Sequence, residues 1–478
     1  LLQTPDYATN WMRYWRDVLF MRATEGRAGL VLGAFESWMT EQLAANKHWD
    51  EITTALLTAT GDVSENGQTA LIFVQRAEAR LAAAGLPPLP RTAWLEIDLA
   101  ALGANLAAIR ASIPAGVHVE PVVKADAYGH GLVPVAAALA AAGADGLCVA
   151  TIDEAFELRD GDLELPILVL YPVPPAFAVE AARRRIAVTA GDPTLLRRLV
   201  EAASGAGPPL AVHLEVETGL GRGGLAVEGV LEGARSVADA PGLVLEGVWT
   251  HLADPASADR SAAQVRRFAG AVDVLRAAGL LPATRHLAAS GALVARDAPP
   301  GEAVRPGLIV YGIVPDDLVA VASSLARAVR PVMSLHARPV RVADLPAGWG
   351  VSYGPSFTTA RPSRIATLPV GYGDGWPRAL SDRAEALVRG ARVPLVGRVA
   401  MDAVMADVTD VPGPPVTVDD PFVLLGEQGG DRITAHDLAA TRGTIAWEVV
   451  TSLSARMPRV YHSAGVVTGL RTLAGRRA

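Results

Sequence analysis

A regular alternation of short apolar runs with alanine-rich helical segments constrains this fold more than any other feature of the sequence. The runs are almost continuously hydrophobic, as parallel strands buried on both faces are. Eight of them lie at about 120–124, 146–151, 166–170, 186–189, 211–216, 244–250, 285–289 and 303–310. This rhythm predicts an α/β fold with a (β/α)8 TIM-type barrel, and a doubly wound open sheet is the alternative.

The segments on either side of the barrel pattern have a different texture. Two amphipathic patterns, at about 9–23 and 31–46, predict a helical extension of unknown role. A proline-rich stretch from Gly85 to Pro90 is typical of a linker, and WLEID at 94–98 alternates as a strand does. Beyond about 320, short Val- and Pro-rich runs with turn signals predict a mainly β domain. We therefore expect the extension over 1–85, the barrel over 91–320 and the C-terminal β domain over 321–468.

Composition narrows the class of partner. The formal net charge is -7 and no basic stripe is concentrated in the chain, so we expect no nucleic acid partner. No apolar stretch approaches the ~20 residues that cross a bilayer, so we expect no membrane association. A single cysteine, Cys148, can build neither a disulfide framework nor a cysteine metal site. These features predict a cytoplasmic protein with a small-molecule substrate and no metal. The chain opens on Leu1 rather than Met, which indicates a fragment or a processed product.

Lysine is unusually scarce. Of 43 basic residues only two are lysines, Lys47 and Lys124, and codon bias towards arginine would explain the pattern. Arginine stays protonated and cannot form a Schiff base, so a retained lysine is a candidate for chemistry that needs an amine. Lys47 lies in a polar stretch, whereas Lys124 ends an apolar run. Lys124 is therefore the candidate for such chemistry. The alternative is a structural lysine whose ammonium group reaches the solvent from the end of the strand.

Further candidates follow the later strands, where barrels carry their reactive groups. Arg222 lies in a glycine-rich turn after the fifth strand, a setting also common on surfaces, and His251 follows the sixth, where a lone histidine is more often structural. Ser290 follows the seventh strand, Arg305 and Gly307 lie at the eighth, and the loops after these two strands often hold a phosphate. A strand-end lysine with a phosphate cradle implies a phosphorylated aldehyde, and pyridoxal phosphate is such a cofactor.

Six motifs carry a resemblance to a known family. They are VVKADAYGHG, ETGLGR, VRPGLIVYG, VSYGPSF, PVGYGDGWPR and VGRVAMDAVMADV. In this order and spacing they resemble alanine racemases, fold-type III enzymes that use pyridoxal 5'-phosphate, over about 92–465. Residues 1–80 resemble instead part of an unrelated bacterial domain of unknown function. The resemblance implies an isomerase that interconverts L-alanine and D-alanine, supplies D-alanine for peptidoglycan, and works as a homodimer with shared active sites.

The resemblance also implies a role for each candidate. Lys124 would carry the cofactor and act as one catalytic base, and Tyr353 of the partner subunit would act as the other. Arg305 would face the pyridine nitrogen, His251 would lie beside the ring, and Arg222 would approach the substrate carboxylate. The groups around the cofactor phosphate would be Tyr128, Ser290, Gly307 and Leu308. The substrate-binding residues from the partner would be Tyr372, Met401 and Asp402. From the residues alone, Tyr353 could equally pack in the core of its own β domain.

Two positions depart from the family pattern. Glu215 stands where the family often carries a lysine that can be carbamylated, and we expect its carboxylate to position Arg222 in place of the carbamate. Ala455 stands where many relatives place a tyrosine near the phosphate, which predicts a range widened to serine.

Three rival functions remain at this point. They are a barrel-type decarboxylase of basic amino acids, a non-catalytic pyridoxal-phosphate-binding protein, and a fusion product whose front segment blocks dimerisation. The second rival predicts a barrel alone, so the β domain expected after it argues against that rival.

Overall fold

The computed structural model forms two compact units. It describes residues 11–13, 25–45, 47–49, 51–52, 55, 77–203, 207–295, 301–321 and 323–477. The barrel unit comprises Leu99–Val332 and Thr444–Ser452. The β unit comprises Leu1–Asp98, Met333–Gly443 and Leu453–Ala478. Within the described residues, no helix is both long and apolar enough to cross a membrane.

The described part of the N-terminal extension is helical. Helix α1 spans Glu25–Ala44, beginning earlier than the predicted 31–46, and α2 spans Ala77–Ala83. Of the helix predicted at 9–23, residues 11–13 are helical and the rest lie outside the described residues. Helix α2 packs its Leu81, which is fully buried, into a cluster with Trp94, Val460 and Leu470. The end of the extension is thus part of the β unit's core.

The predicted barrel is confirmed. In the described residues of the barrel unit, eight parallel strands pair in the order β2-β9-β8-β7-β6-β5-β4-β3. The sheet closes on itself because Val122 and Cys148 form a parallel bridge, and Val123 N–H donates to the Cys148 carbonyl at 2.8 Å. Closure rules out the open-sheet alternative. The strands are β2 His118–Val119, β3 Leu147–Val149, β4 Ile167–Pro172, β5 Ile186–Ala190, β6 Leu210–Glu215, β7 Leu243–Trp249, β8 Thr284–Ala289 and β9 Ala303–Arg305.

Helices alternate with these strands because their apolar positions recur at helical spacing and face the sheet. In α3, for example, Leu102, Leu106 and Ile109 are buried. The helices of the barrel unit are α3 Leu99–Ser112, α5 Leu132–Ala141, α6 Ile152–Asp160, α7 Ala178–Arg183, α8 Pro193–Ala203, α9 Val230–Ala238, α10 Ala258–Ala277, α11 Ser290–Ala295, α12 Ser324–Ala328 and, from late in the chain, α14 Ala446–Thr451. The short segment α4, Lys124–Tyr128, is a left-handed turn.

The mainly β C-terminal domain is also confirmed. Its main sheet runs β11-β14-β17-β16-β15-β18-β10-β1-β20-β21-β22, with β19 paired to β18 and a separate β12–β13 hairpin. Strand β1, Ala93–Asp98, lies between β10 and β20 in this sheet, although the linear boundary at 91 assigns it to the barrel. The remaining elements are β10 Met333–Ala337, β11 Arg341–Leu345, β12 Gly350–Val351, β13 Phe357–Thr358, β14 Ser363–Leu368, β15 Glu385–Val388, β16 Ala391–Val396, β17 Val404–Asp407, β18 Phe422–Gln428, β19 Asp431–Ile433, α13 Ala435–Arg442, β20 Arg459–Ser463, β21 Val466–Thr472 and β22 Gly475–Arg477.

Candidate active site

A cavity of about 420 Å³ lies within the barrel unit, lined by residues that follow the barrel strands. Its volume is in the usual range of sites for small molecules. The candidates it brings together are Lys124, Tyr128, Arg222, His251, Ser290, Arg305, Gly307 and Leu308. Residues from five different strand ends thus share one cavity, as the barrel pattern predicts.

Lys124 opens an unusual turn. The four residues after it, Ala125 to Tyr128, all have positive φ, between 53° and 55°. Left-handed backbone costs a non-glycine residue roughly 1–2 kcal/mol, so contacts elsewhere must impose this turn. At the end of the turn, a Cβ on Gly129 would lie 2.3 Å from the Val450 carbonyl oxygen, so this close approach and a φ of 80° require glycine.

The environment of Lys124 favours its neutral amine. Burial lowers the pKa of Lys124, and the positive charges of Arg222 and Arg305 lower it further, while the Glu154 carboxylate opposes them. A neutral amine can bond to an aldehyde or accept a proton, whereas an ammonium group cannot. The arrangement therefore suits a lysine that takes part in chemistry.

Ser290, Gly307 and Tyr128 form a small polar cradle. Ser290 Oγ accepts hydrogen bonds from the Gly307 N–H at 2.9 Å and from the Ile309 N–H at 3.3 Å. A Cβ on Gly307 would lie 2.6 Å from Tyr128 Oη, so the space beside the phenol exists because position 307 is glycine. Burial raises the pKa of Tyr128, which keeps its phenol protonated and able to donate. Hydroxyl and amide donors around such a space fit a phosphate.

Arg305 is a buried cation at the end of β9. Its Nη2 donates to the Thr250 carbonyl at 2.7 Å, and its guanidinium lies 4.3 Å from the centroid of the Trp249 ring. Burial lowers the pKa of Arg305 to about 10, which leaves it charged near neutrality. Its Nε has no hydrogen-bond partner among the described residues. A buried donor without a partner is costly, so this atom fits a site that receives an acceptor from a bound group.

Arg222 and His251 complete the charged lining of the cavity. The guanidinium of Arg222 lies 5.5 Å from the centroid of the Tyr171 ring, and its Nη2 lies 3.7 Å from Glu215 Oε1. Burial raises the pKa of Glu215, although Arg222 and Arg305 oppose this effect. Burial, followed by Arg305, Arg222 and Lys124, lowers the pKa of His251 to about 3, so its ring is neutral.

The remaining candidates lie on the β unit, outside the residues that line the cavity. Tyr353 is 74% exposed, so it does not pack in the core of its own domain, and that alternative is wrong. Tyr372 and Met401 are also exposed, at 42% and 52%. Asp402 pairs with Arg456 at 2.6 Å between Oδ1 and Nη2.

Sequence reasoning missed three residues of the cavity and its surroundings. Tyr171 and Trp249 line the cavity and lie against Arg222 and Arg305. Each stands at the end of a predicted strand, which is the signal that could have identified it. Glu154 accepts a hydrogen bond from the Ala125 N–H at 2.6 Å. Its only sequence signal is a capping box with Thr151.

The fold and cavity together define a class, the pyridoxal-phosphate enzymes built from a (β/α)8 barrel and a β domain. The family model for the alanine racemase N-terminal domain matches residues 97–315, and that for the C-terminal domain matches residues 332–461. The chain belongs to the alanine racemase family. It is accordingly a pyridoxal-phosphate-dependent isomerase that interconverts L-alanine and D-alanine. The match to both domains sets aside the decarboxylase and the non-catalytic rival.

Comparison with individual proteins also finds alanine racemases. An alanine racemase of Desulfosudis oleivorans is 41% identical over 381 residues, covering 77% of this chain and 96% of the relative. That of Symbiobacterium thermophilum is 42% identical over 373 residues, covering 78% and 97%. Among solved structures, the Bacillus anthracis alanine racemase with bound L-Ala-P has a TM-score of 0.76 at 34% identity, covering 81% of this chain and 99% of that one.

Proposed function

We propose that the cavity at the carboxyl ends of the barrel strands is where alanine is racemised, with Lys124 holding the cofactor. One observation carries the proposal: the Lys124 amine shares this cavity with the Ser290–Gly307 cradle and the Arg305 cation. An amine beside a phosphate site meets both chemical demands of a phosphorylated aldehyde.

The lining residues support a specific orientation of the cofactor. Ser290, Gly307, Leu308 and Tyr128 would hold its phosphate, and the neutral His251 would lie beside its ring. Arg305 would face the pyridine nitrogen, and because it does not readily release a proton, it would leave that nitrogen unprotonated. When bound, the cofactor withdraws electrons from the α-carbon of the amino acid and so acidifies its C–H bond.

Two bases on opposite faces of the α-carbon would then move the proton. Nζ of Lys124, whose pKa is lowered, takes it from D-alanine. In the same turnover Oη of Tyr353 of the partner subunit donates a proton to the opposite face, and the two groups exchange these roles when the substrate is L-alanine. Arg222 would hold the substrate carboxylate, with Glu215 keeping the guanidinium in place. Tyr372, Met401 and Asp402 of the partner subunit would complete substrate binding.

Borohydride trapping tests the role of Lys124. Reduction of the holoenzyme followed by peptide mapping should place the pyridoxyl label on Lys124 and leave Lys47, which is exposed, unlabelled. Lys124→Arg keeps the charge but cannot form the bond, so it should lose both label and activity. A label on Lys47 alone would contradict the proposal.

Subunit complementation tests the shared site. Lys124→Ala and Tyr353→Phe should each be almost inactive, whereas dimers formed by refolding the two together should recover about a quarter of wild-type activity, since half of them have one intact site. No recovery would place Lys124 and Tyr353 of one site in the same subunit.

Comparing the oligomeric state of the full chain with that of a chain starting at residue 90 tests whether the extension blocks assembly.

The proposed setting is the cytoplasm, where D-alanine would supply peptidoglycan synthesis. Cys148 is a free buried thiol, which is compatible with a reducing compartment. Growth of a D-alanine auxotroph without added D-alanine, on expression of this chain, would support that role.

A further inference from the structure

Glu154 links the turn that carries Lys124 to the next strand–helix loop of the barrel. We infer that Glu154 is a positioning residue: its carboxylate holds the left-handed turn that begins at Lys124 and thereby sets where the amine stands in the cavity. The inference rests on the proposed function in one respect, that Lys124 is the lysine that holds the cofactor.

The carboxylate uses both oxygens. Oε1 accepts a hydrogen bond from the Ala125 N–H at 2.6 Å, and Ala125 is bonded directly to Lys124. Oε2 accepts from the Ala150 N–H at 2.8 Å and the Thr151 N–H at 3.1 Å, in the loop between β3 and α6. Only a side chain with two acceptor atoms can join these two segments in this way. Glu154 is therefore a bridge and not simply a helix cap.

The position of this bridge explains its importance. Ala125 is the first of four successive residues with positive φ, which L-residues do not adopt without outside constraint. A second tie, from the Leu132 N–H to Asp126 Oδ1 at 2.8 Å, fastens the turn to the start of α5. The Glu154 bond instead orients the peptide next to Lys124. Val123, on the other side of Lys124, is held by its N–H bond to the Cys148 carbonyl at 2.8 Å. Glu154 adds the bond to the Ala125 N–H, on the peptide that directly follows Lys124.

The charge of Glu154 also acts on the Lys124 amine. Its carboxylate opposes the lowering of the Lys124 pKa by burial, Arg222 and Arg305. The hydrogen bonds therefore assign Glu154 to the placement of the lysine.

The test compares the full-length wild type, Glu154→Gln and Asp153→Asn. Glutamine keeps the shape of the side chain but has only one acceptor oxygen. If that oxygen keeps the bonds to Ala150 and Thr151, the NH2 group faces the Ala125 N–H and cannot accept its hydrogen bond. Asp153→Asn removes a neighbouring exposed carboxylate from the same first turn of α6 and is the matched control. Amide hydrogen exchange of peptides spanning 123–131 should be about tenfold faster or more in Glu154→Gln and unchanged in Asp153→Asn.

Cofactor labelling gives a second readout. Glu154→Gln should need several-fold more pyridoxal phosphate than wild type for half-maximal borohydride labelling of Lys124, and Lys47, which should stay unlabelled, reports any non-specific labelling. If Glu154→Gln does not fold, Glu154→Asp, which keeps the charge but withdraws it from Ala125, should change both readouts in the same direction.

Unchanged exchange in Glu154→Gln, or equal acceleration in Asp153→Asn, would overturn the inference. Failure of the wild type to label at Lys124 would overturn the proposed function instead, and hydrogen exchange would still decide whether Glu154 holds the turn.

Discussion

The guanidinium of Arg305 lies 4.3 Å from the centroid of the Trp249 ring while its Nη2 donates to the carbonyl of Thr250. Trp249 thus supplies an aromatic face for the cation, and the next residue, Thr250, supplies a carbonyl acceptor. A planar guanidinium can stack on the ring while its rigid N–H groups point at the carbonyl, whereas an ammonium has no plane to stack and no fixed donor directions. This relationship holds a buried positive charge at a defined place in the cavity.

Replacing Arg305 with lysine tests that placement. Arg305→Lys keeps a basic group but loses the stacking and the directed hydrogen bond, and a buried ammonium also loses its proton more readily. We expect kcat/KM for alanine to fall by about tenfold to a hundredfold in both directions. Arg285, on β8, forms an ion pair with Glu302, and Arg285→Lys is the control that should retain activity.

Filling the phosphate cradle should weaken cofactor binding. In Gly307→Ala the new methyl group would lie 2.6 Å from Tyr128 Oη and 3.8 Å from Ser290 Oγ. Overpacking of this kind costs about 1–3 kcal/mol, so we expect the Kd for pyridoxal phosphate, measured by fluorescence, to rise about tenfold. Gly270→Ala, in α10 with nothing within 4 Å of the added carbon, should leave the Kd unchanged.

Glu215 should be required for Arg222 to act. Glu215→Gln removes the charge that faces Arg222 Nη2 at 3.7 Å, and kcat/KM should fall about tenfold. Glu215→Lys restores the residue that the family often carries, and added bicarbonate should recover its activity by forming the carbamate. Steady-state kinetics with and without bicarbonate measure both effects. Intact activity in Glu215→Gln would refute the role.

The contribution of Glu96 to the stability of the β unit should be lost at acid pH. Burial would raise the pKa of Glu96, but His336, Arg80 and His462 together lower it from 4.5 to about 2. A depressed carboxylate pKa stabilises the folded state above pH 4.5, and this contribution disappears as the pH falls towards 2. Urea unfolding should therefore show wild type more stable than Glu96→Gln at pH 6, with the gap closing by pH 2. A gap of constant size would contradict this linkage.

Ala455 should influence substrate range. Its small side chain is exposed in the segment before β20, at the position where the family resemblance implies a tyrosine. If the missing ring widens the substrate pocket, wild type should turn over serine as well as alanine. Ala455→Tyr should then lower the serine-to-alanine ratio of kcat/KM several-fold. An unchanged ratio would refute the pocket argument.

Local patterns located most of the barrel, but not how its last strand ends. The run at 303–310 predicts one long strand, whereas β9 ends at Arg305 and a 3-10 turn follows over Leu308–Tyr311. Pro306 and Gly307 separate the two, because proline lacks an N–H for the ladder and glycine admits the close approach to Tyr128. An apolar run alone does not distinguish a strand from such a turn.

Local patterns also could not predict which strands pair with each other in the sheet. WLEID is recognisable as a strand, but its neighbours β10 and β20 lie more than two hundred residues away in the chain. Hydrogen bonding between strands is set by which apolar faces meet after the chain collapses. The late helix α14 belongs to the barrel unit for the same reason.

By itself the sequence determined the alternation of strands and helices, the strands beside which the candidate residues lie, and the singular position of Lys124, because spacing and residue type are local properties. Only the tertiary structure decided the left-handed turn after Lys124, the bridge from Glu154, the pairing of Arg305 with Trp249 and the exposure of Tyr353. Each of these depends on groups far apart in the chain, whose contacts outweigh the conformational preferences of single residues.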